Sequence, residues 1–267
     1  MGYGDNIIAT GFARGATKRG KRIAFGDGRK IIWDHHSEQI FKGNPNIAPQ
    51  GSEKDSDLEW HPFCRGNRQY ITHDRGANRW IWNYKFKPIR GEVFLDEAEV
   101  HWAEAVGSGF ILIEPNVPNK PQAINKQWSH HKFDQVALGL RAKGYEIIQL
   151  ANPMAGDHAP QLLGAHQVRA PSFRHALALM QRAALFIGAE GGLHHGAAAV
   201  GTDAVVLFGG WVPPEVTGYN GHANIARGKA CGSLAPCPHC KEIMESISAQ
   251  EVFDAAKSRL KSHQAIA

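Results

Sequence analysis

The chain has 267 residues, 43% of them apolar and 21% charged, and a formal net charge of +5. That balance excludes a disordered, low-hydrophobicity chain and leaves length for two modest domains. No run reaches the ~18 consecutive apolar residues of a membrane span, and the N-terminus lacks the charged and apolar segments of a secretory signal. A cytoplasmic protein with anionic partners is expected.

In chain order, Gly2-Tyr3-Gly4-Asp5-Asn6 reads as a turn, with Asp5 or Asn6 capping a helix whose apolar residues Ile8, Phe12 and Ala16 recur every fourth position. Arg22 to Phe25 follows as a strand. The basic run Arg14, Lys18, Arg19, Lys21 and Arg22 reads as the solvated face and C-terminal end of that helix, where positive charge suits the dipole. Contact with an anionic acceptor is the alternative. From Trp33 to Arg90 the periodicity is poor, yet Trp60, Tyr70, Trp80, Trp82, Tyr84 and Phe86 are too many aromatics for a disordered linker. Asp55-Ser56-Asp57 matches the acid-x-acid pair with which metal-dependent sugar transferases hold a divalent cation, but in so polar a run a solvated loop is expected.

Glu92 to Ala105 reads as a short strand and then a helix. A boundary is expected at Gly107-Ser108-Gly109, dividing an irregular N-terminal domain (1–106) from a regular one (107–267), with the site in the cleft between them. Beyond it the spacing predicts a strand at Phe110 to Ile113, a helix from Lys132 to Lys143, and a strand at Glu146 to Leu150. A helix opened by Ser172 follows, with Phe173, Leu177 and Met180 as its core stripe. Glu251 to Leu260 reads as a terminal amphipathic helix. This alternation means α/β architecture, a parallel sheet with helices on both faces.

The stretch from Leu185 to Gly210 reads as strand, tight turn, helix, strand. Gly191 and Gly192 let the backbone turn and leave amide groups uncovered at a helix N-terminus, a seat for phosphate or diphosphate. Gly196 to Ala199 are small enough for the helix to lie close to the sheet. Glu190 stands at the strand end, where ligands bind in open parallel sheets, and His195 lies in the first turn of the helix behind it. A helix-terminal acid and a packing histidine are the alternative readings of these two. Of the cysteines, Cys64 stands apart, whereas Cys231, Cys237 and Cys240 have the spacing to supply three ligands of a zinc site; free thiols are the alternative.

Three motifs resemble those of the ADP-heptose–lipopolysaccharide heptosyltransferases and their relatives, glycosyltransferase family nine. Gly4-Asp5 is similar to the family's N-terminal Gly-Asp, and Asn125-Lys126-Gln127-Trp128 to its Lys-x-Trp segment. Glu190-Gly191-Gly192-Leu193-His194-His195-Gly196-Ala197-Ala198 is similar to its Asp-Thr-Gly-Leu-x-His-x-Ala-Ala, with Glu190 replacing the aspartate. The resemblance is thin between residues 30 and 105, where the N-terminal domain is shorter than usual.

The resemblance implies a GT-B fold, two Rossmann-like domains facing a cleft, with an N-terminal acceptor-side domain and a C-terminal nucleotide-sugar domain. It implies Asp5 as catalytic base and Lys126 as the contact to the donor diphosphate. Gly4, Glu190, Gly191, Gly192, Leu193 and His195 would line the donor site. The chemistry is displacement of a nucleoside diphosphate by an acceptor hydroxyl, with inversion, no metal and no cofactor beyond the nucleotide-diphosphate sugar as co-substrate. The acceptor would be an anionic glycan or a lipid-linked one, reached without a transmembrane segment but with peripheral membrane contact allowed. A catalytically silent nucleotide- or nucleic-acid-binding protein, or a transferase acting on modified DNA, is the alternative that the positive charge permits.

Overall fold

A computed structural model describes residues 1–151 and 160–264. Its first half carries α1 (Tyr3–Thr17), β1 (Arg22–Gly26), α2 (His35–Phe41), β2 (Leu58–Pro62), β3 (Ile71–Asp74), β4 (Arg79–Trp82) and α3 (Glu97–Val106). There follow β5 (Ile111–Glu114), a 3₁₀ turn (Pro121–Lys126), α4 (His130–Arg141), β6 (Ile147–Ala151), β7 (His166–Arg169) and α5 (Phe173–Arg182). The chain continues through β8 (Leu185–Ala189), α6 (Gly192–Val200), β9 (Ala204–Gly209), α7 (Pro214–Thr217), β10 (Ala223–Ala226), α8 (Pro238–Ser246) and α9 (Ala249–Gln264).

Six parallel strands form the main sheet in the order β10-β9-β8-β5-β6-β7. Strands after β5 run outward to one side and strands after β8 to the other, so β5 and β8 flank the point where the order reverses. In such sheets the crevice beyond the carboxyl ends of those two strands binds ligand. The four central strands, β9, β8, β5 and β6, are buried on both faces and read as apolar runs, as parallel strands covered by helices must. β7 went unread in the sequence because this edge strand, His-Gln-Val-Arg, is largely exposed and carries no apolar pattern.

The N-terminal part is short and irregular. β1 pairs in parallel with β2 and is bridged on its other side by Ile47, while β3 and β4 form a separate antiparallel hairpin. Asp55 and Asp57 lie in the loop before β2 and both clasp Arg22, each at 2.6 Å. Arg19 pairs with Glu59 at 2.6 Å. The basic run is thus matched largely by acids of its own domain.

Two local expectations are corrected. The strand expected at Glu92 does not form. The chain there lies flat against α1, its Glu92 N–H donating to Thr10 Oγ1 at 2.8 Å instead of to a strand partner. A Cβ on Gly91 would come within 2.3 Å of the Ile7 carbonyl oxygen, so only glycine allows that approach. Second, the cap of α1 is Gly2, and Asp5 is the third helical residue, its Oδ2 accepting the Gly2 N–H at 2.9 Å.

The core is continuous across both parts. Ile7, Phe25 and Ile40 belong to the same buried cluster as Phe110, Leu112, Leu177 and Phe186. A buried ion pair reinforces the join: Arg174 of α5 grips Glu99 of α3 through two N–H donors at 2.5 and 2.7 Å, and also donates to the carbonyls of Gln39 and Phe94. Among the described residues no helix is long and apolar enough to cross a membrane.

Candidate active site

The turn after β8 and the start of α1 meet directly. A Cβ on Gly4 would lie 2.8 Å from His195 Cδ2, and one on Gly192 would lie 3.4 Å from the Tyr3 Cβ and 3.5 Å from the Gly4 nitrogen. Two helix N-termini, each carrying about half a positive charge, therefore converge on one spot. The turn glycines serve this close approach: Gly191 has extended backbone (φ 161°) that any residue adopts, so unusual torsion is not its purpose. Gly196 likewise seats α6 against Leu177 of α5, where a Cβ would fall 2.3 Å from Leu177 Cδ2.

Lys126, at the end of the 3₁₀ turn following β5, extends over this spot. Its Nζ donates to the Glu190 carbonyl at 2.7 Å and to Glu190 Oε2 at 3.1 Å, and lies 5.0 Å from the centre of the Trp211 ring. A Cβ on Gly191 would be 3.7 Å from that nitrogen. Lysine and glutamate thus stand on either side of the strand-order switch, both buried, their charges compensating each other.

Behind them the two histidines are fixed and neutral. His194 Nε2 lies 3.0 Å from the Thr217 carbonyl, which makes it the N–H donor and leaves Nδ1 to accept the Gly191 N–H at 3.0 Å. The amide of Gly191, expected to be open to an anion, is therefore used internally. His195 Nδ1 bonds the Tyr219 hydroxyl at 3.0 Å, and its Nε2 sits 4.0 Å from Glu190 Oε1. Burial pushes the His195 pKa well below its ordinary value, with His194 and Lys126 adding to the shift. Burial also lowers His194.

Asp5 closes the other side. Its Oδ1 accepts the Tyr70 hydroxyl at 2.5 Å and lies 3.4 Å from Arg68 Nε, while its side chain keeps 12% exposure. Arg68 in turn stacks on Trp80, 4.5 Å from the ring centre. Next to this pair, Asn67 is fully buried and donates to Asn6 Oδ1 at 2.7 Å. Tyr70 is partly buried, and the desolvation of its hydroxyl, with the charge of Asp5 and its hydrogen bond, holds its pKa well above the usual phenol value. It remains an O–H donor at neutral pH. The negative charge of Glu190 adds a smaller push in the same direction.

All eight residues expected from the sequence thus fall in one locality: Gly4 and Asp5 from α1, Lys126 from the loop after β5, and Glu190, Gly191, Gly192, Leu193 and His195 from the turn and first residues of α6. Arg68, Tyr70, Trp211 and Tyr219 were missed. Only the aromatic richness around Tyr70 hinted at them, since no spacing links residue 70 to residue 5.

A family model described as glycosyltransferase family 9 (heptosyltransferase) matches residues 79–246. Lipopolysaccharide heptosyltransferase 3 of Escherichia coli is 33% identical over 113 residues, covering 39% of this chain and 32% of that protein. A second E. coli heptosyltransferase 3 is 31% identical over 119 residues, 40% of this chain and 33% of that one. The matched stretch is about a third of the length of these curated relatives.

Among solved structures, a family 9 glycosyl transferase from Veillonella parvula superposes with a TM-score of 0.65 at 15% identity, covering 98% of this chain and 95% of that one. E. coli ADP-heptose heptosyltransferase II gives 0.50 at 18% identity, with 67% and 56% covered. TibC, a dodecameric iron-containing heptosyltransferase solved with ADP-D-β-D-heptose, gives 0.50 at 16% identity, with 67% and 50% covered. At such identities the likeness is one of fold, and the fold is that of the GT-B glycosyltransferases.

Proposed function

The chain belongs to glycosyltransferase family 9, and from that premise we propose that it transfers a sugar from a nucleotide-diphosphate donor of the ADP-heptose kind to a hydroxyl of an anionic glycan, with inversion and without a catalytic metal. The observation that carries the reading is the position of Asp5 in the first turn of α1, directly after Gly4, which packs on Gly192 and His195 of the glycine turn, with the Asp5 carboxylate bonded to Tyr70.

The diphosphate would sit at the N-terminus of α6 beneath Lys126, where an ammonium and helix dipoles oppose the charge growing on the leaving group. Lys126 must exchange part of its contact with Glu190 for phosphate oxygens, a swap of one charge-assisted bond for another. Asp5 would take the proton of the acceptor hydroxyl as that oxygen attacks the anomeric carbon. Its two oxygens already accept the Gly2 N–H and the Tyr70 O–H, but a carboxylate has about four lone-pair positions, so capacity for a proton remains. Attack from the face opposite the diphosphate inverts the configuration in a single step.

Glu190, His194 and His195 lie close enough to share an ion. However, Glu190 Oε2 takes Lys126 and both ring nitrogens of His194 bond backbone groups, which favours the lysine as the source of positive charge.

The test is to incubate the full chain with nucleotide-diphosphate sugars and glycan acceptors, follow nucleoside diphosphate release, and read the product's anomeric configuration by NMR. Acceptor-dependent release giving the inverted anomer, at equal rates with chelator and with magnesium, is expected. Donor binding without turnover on any acceptor would leave a silent nucleotide-binding protein instead.

A further inference from the structure

A second cluster of reactive side chains lies behind the site, in the loop that follows β10 and the first turn of α8. The thiols of Cys231, Cys237 and Cys240 and a ring nitrogen of His239 all fall within 4.8 Å of one another. Cys231 Sγ is 3.9 Å from Cys237 Sγ and 3.1 Å from Cys240 Sγ. These separations bracket the roughly 3.8 Å between sulfurs that tetrahedral coordination at about 2.3 Å per bond demands. Two further features suit thiolates. The Ser233 N–H points at Cys231 Sγ at 3.5 Å, and Cys237 and Cys240 ride the N-terminal turn of α8, where the helix dipole favours negative charge.

We infer that Cys231, Cys237, His239 and Cys240 form a structural zinc site. Three thiolates and one imidazole complete a closed tetrahedron with no position left for substrate, the donor set that zinc prefers in structural sites. The ion ties the loop to α8, and that loop is what supports the lysine. Ser233 and Ala235 offer their carbonyls to Asn125 Nδ2 at 3.2 and 2.9 Å, and the Cys237 N–H donates to Asn125 Oδ1 at 2.8 Å. Ser233 also accepts the indole N–H of Trp211 at 2.6 Å. Asn125 precedes Lys126, and Trp211 lies under its ammonium, so the zinc would brace both neighbours of that side chain. This last link rests on the donor-site reading of Lys126; the metal site itself does not.

The test is elemental analysis of the full chain purified under reducing conditions, with cobalt exchanged for the native ion. About one zinc per chain and the visible spectrum of tetrahedral, thiolate-bound cobalt are expected. Chelator should lower the thermal midpoint, and Cys237→Ser should lose most of the metal. Substoichiometric zinc with no tetrahedral cobalt spectrum would overturn the site, as would a Cys231–Cys240 disulfide in the intact mass. Stoichiometric iron would overturn the assignment of zinc. The cobalt spectrum is read on the unaltered chain, so it decides even if Cys237→Ser fails to fold. If the metal is present but Lys126→Ala leaves donor affinity unchanged, the donor-site reading fails and the zinc site stands.

Discussion

The donor turn and the Asp5 pocket touch each other, yet they are built in different ways. The donor turn is made within nine consecutive residues, Glu190 to Ala198, by glycine and alanine positions that bring α6 close to its neighbours. Lys126, Gly4, Trp211 and Tyr219 reach it from other segments. The Asp5 pocket is assembled from distant chain: Asp5 from α1, and Arg68 and Tyr70 from the segment before β3, with Trp80 of β4 behind Arg68. A backbone-made anion seat tolerates little change in sequence, whereas a side-chain-made pocket is satisfied by many combinations of donors around one carboxylate. Under the proposed roles, the leaving-group half of the site is fixed by local packing and the proton-accepting half by tertiary assembly.

The largest expected effect comes from separating the two regions. Arg174 and Glu99 are buried, with side-chain exposures of 4% and 7%, and join α5 to α3. Arg174→Ala leaves the Glu99 carboxylate buried without its cation and should cost about 3–5 kcal/mol of stability. Denaturant unfolding checks this, and a loss under about 1 kcal/mol would mean that the halves are held together by apolar contact alone.

Next in size, Lys126→Ala removes the cation at the glycine turn and also leaves the Glu190 carboxylate buried without its partner, so affinity is read on protein that denaturant unfolding shows to be folded. Loss of a charge-assisted contact worth about 1.5–3 kcal/mol should weaken nucleoside diphosphate binding by tenfold or more. Titration calorimetry gives the number. Unchanged affinity would move the diphosphate away from the turn.

A smaller and graded effect belongs to the histidines behind the turn. Burial lowers the pKa of His194 and of His195, and brings that of His222 down to about 3 from its ordinary 6.5. Below about pH 6.5 the unfolded chain binds protons that the folded chain refuses, so stability falls as pH falls through that value and returns as it rises. For His222 the loss continues toward pH 3 or so, at up to about 1.4 kcal/mol per pH unit. Differential scanning calorimetry from about pH 7.5 to about pH 5 should show the midpoint dropping, and more gently in His222→Gln. Equal slopes in the two proteins would contradict the assignment for His222.

The contrast between the two regions also explains what could be read from sequence. The strands β5, β6, β8 and β9 were legible because apolar runs buried on both faces admit few alternatives. The strand, glycine turn and helix from Leu185 to Val200 were legible because their residues are contiguous. The segment from Trp33 to Arg90 was not, since its strands β2, β3 and β4 are short, lie in two-stranded sheets and are only partly buried, with no long apolar run to mark them. The Glu92 stretch just beyond it has strand-like residues, but its amide is taken by a threonine of α1. Asp5 was identified by its motif, while its partners Arg68 and Tyr70 carried no local signal. The polar edge strand β7 was invisible for the opposite reason, having pairing without pattern.

The most direct measurement is sugar transfer by Asp5→Asn, with Tyr70→Phe as control. Asparagine keeps the size of the side chain and an oxygen for the Gly2 N–H, and its amide can face the Tyr70 hydroxyl, which also accepts. It cannot take a proton. If Asp5 is the base, turnover falls by about 100-fold or more while donor affinity by calorimetry stays within about twofold of wild type. Tyr70→Phe removes one hydrogen bond to the carboxylate but leaves its oxygens able to accept a proton, so activity should persist. Wild-type turnover in Asp5→Asn would contradict the assignment, leaving Asp5 as a helix-terminal acid and the proton acceptor elsewhere.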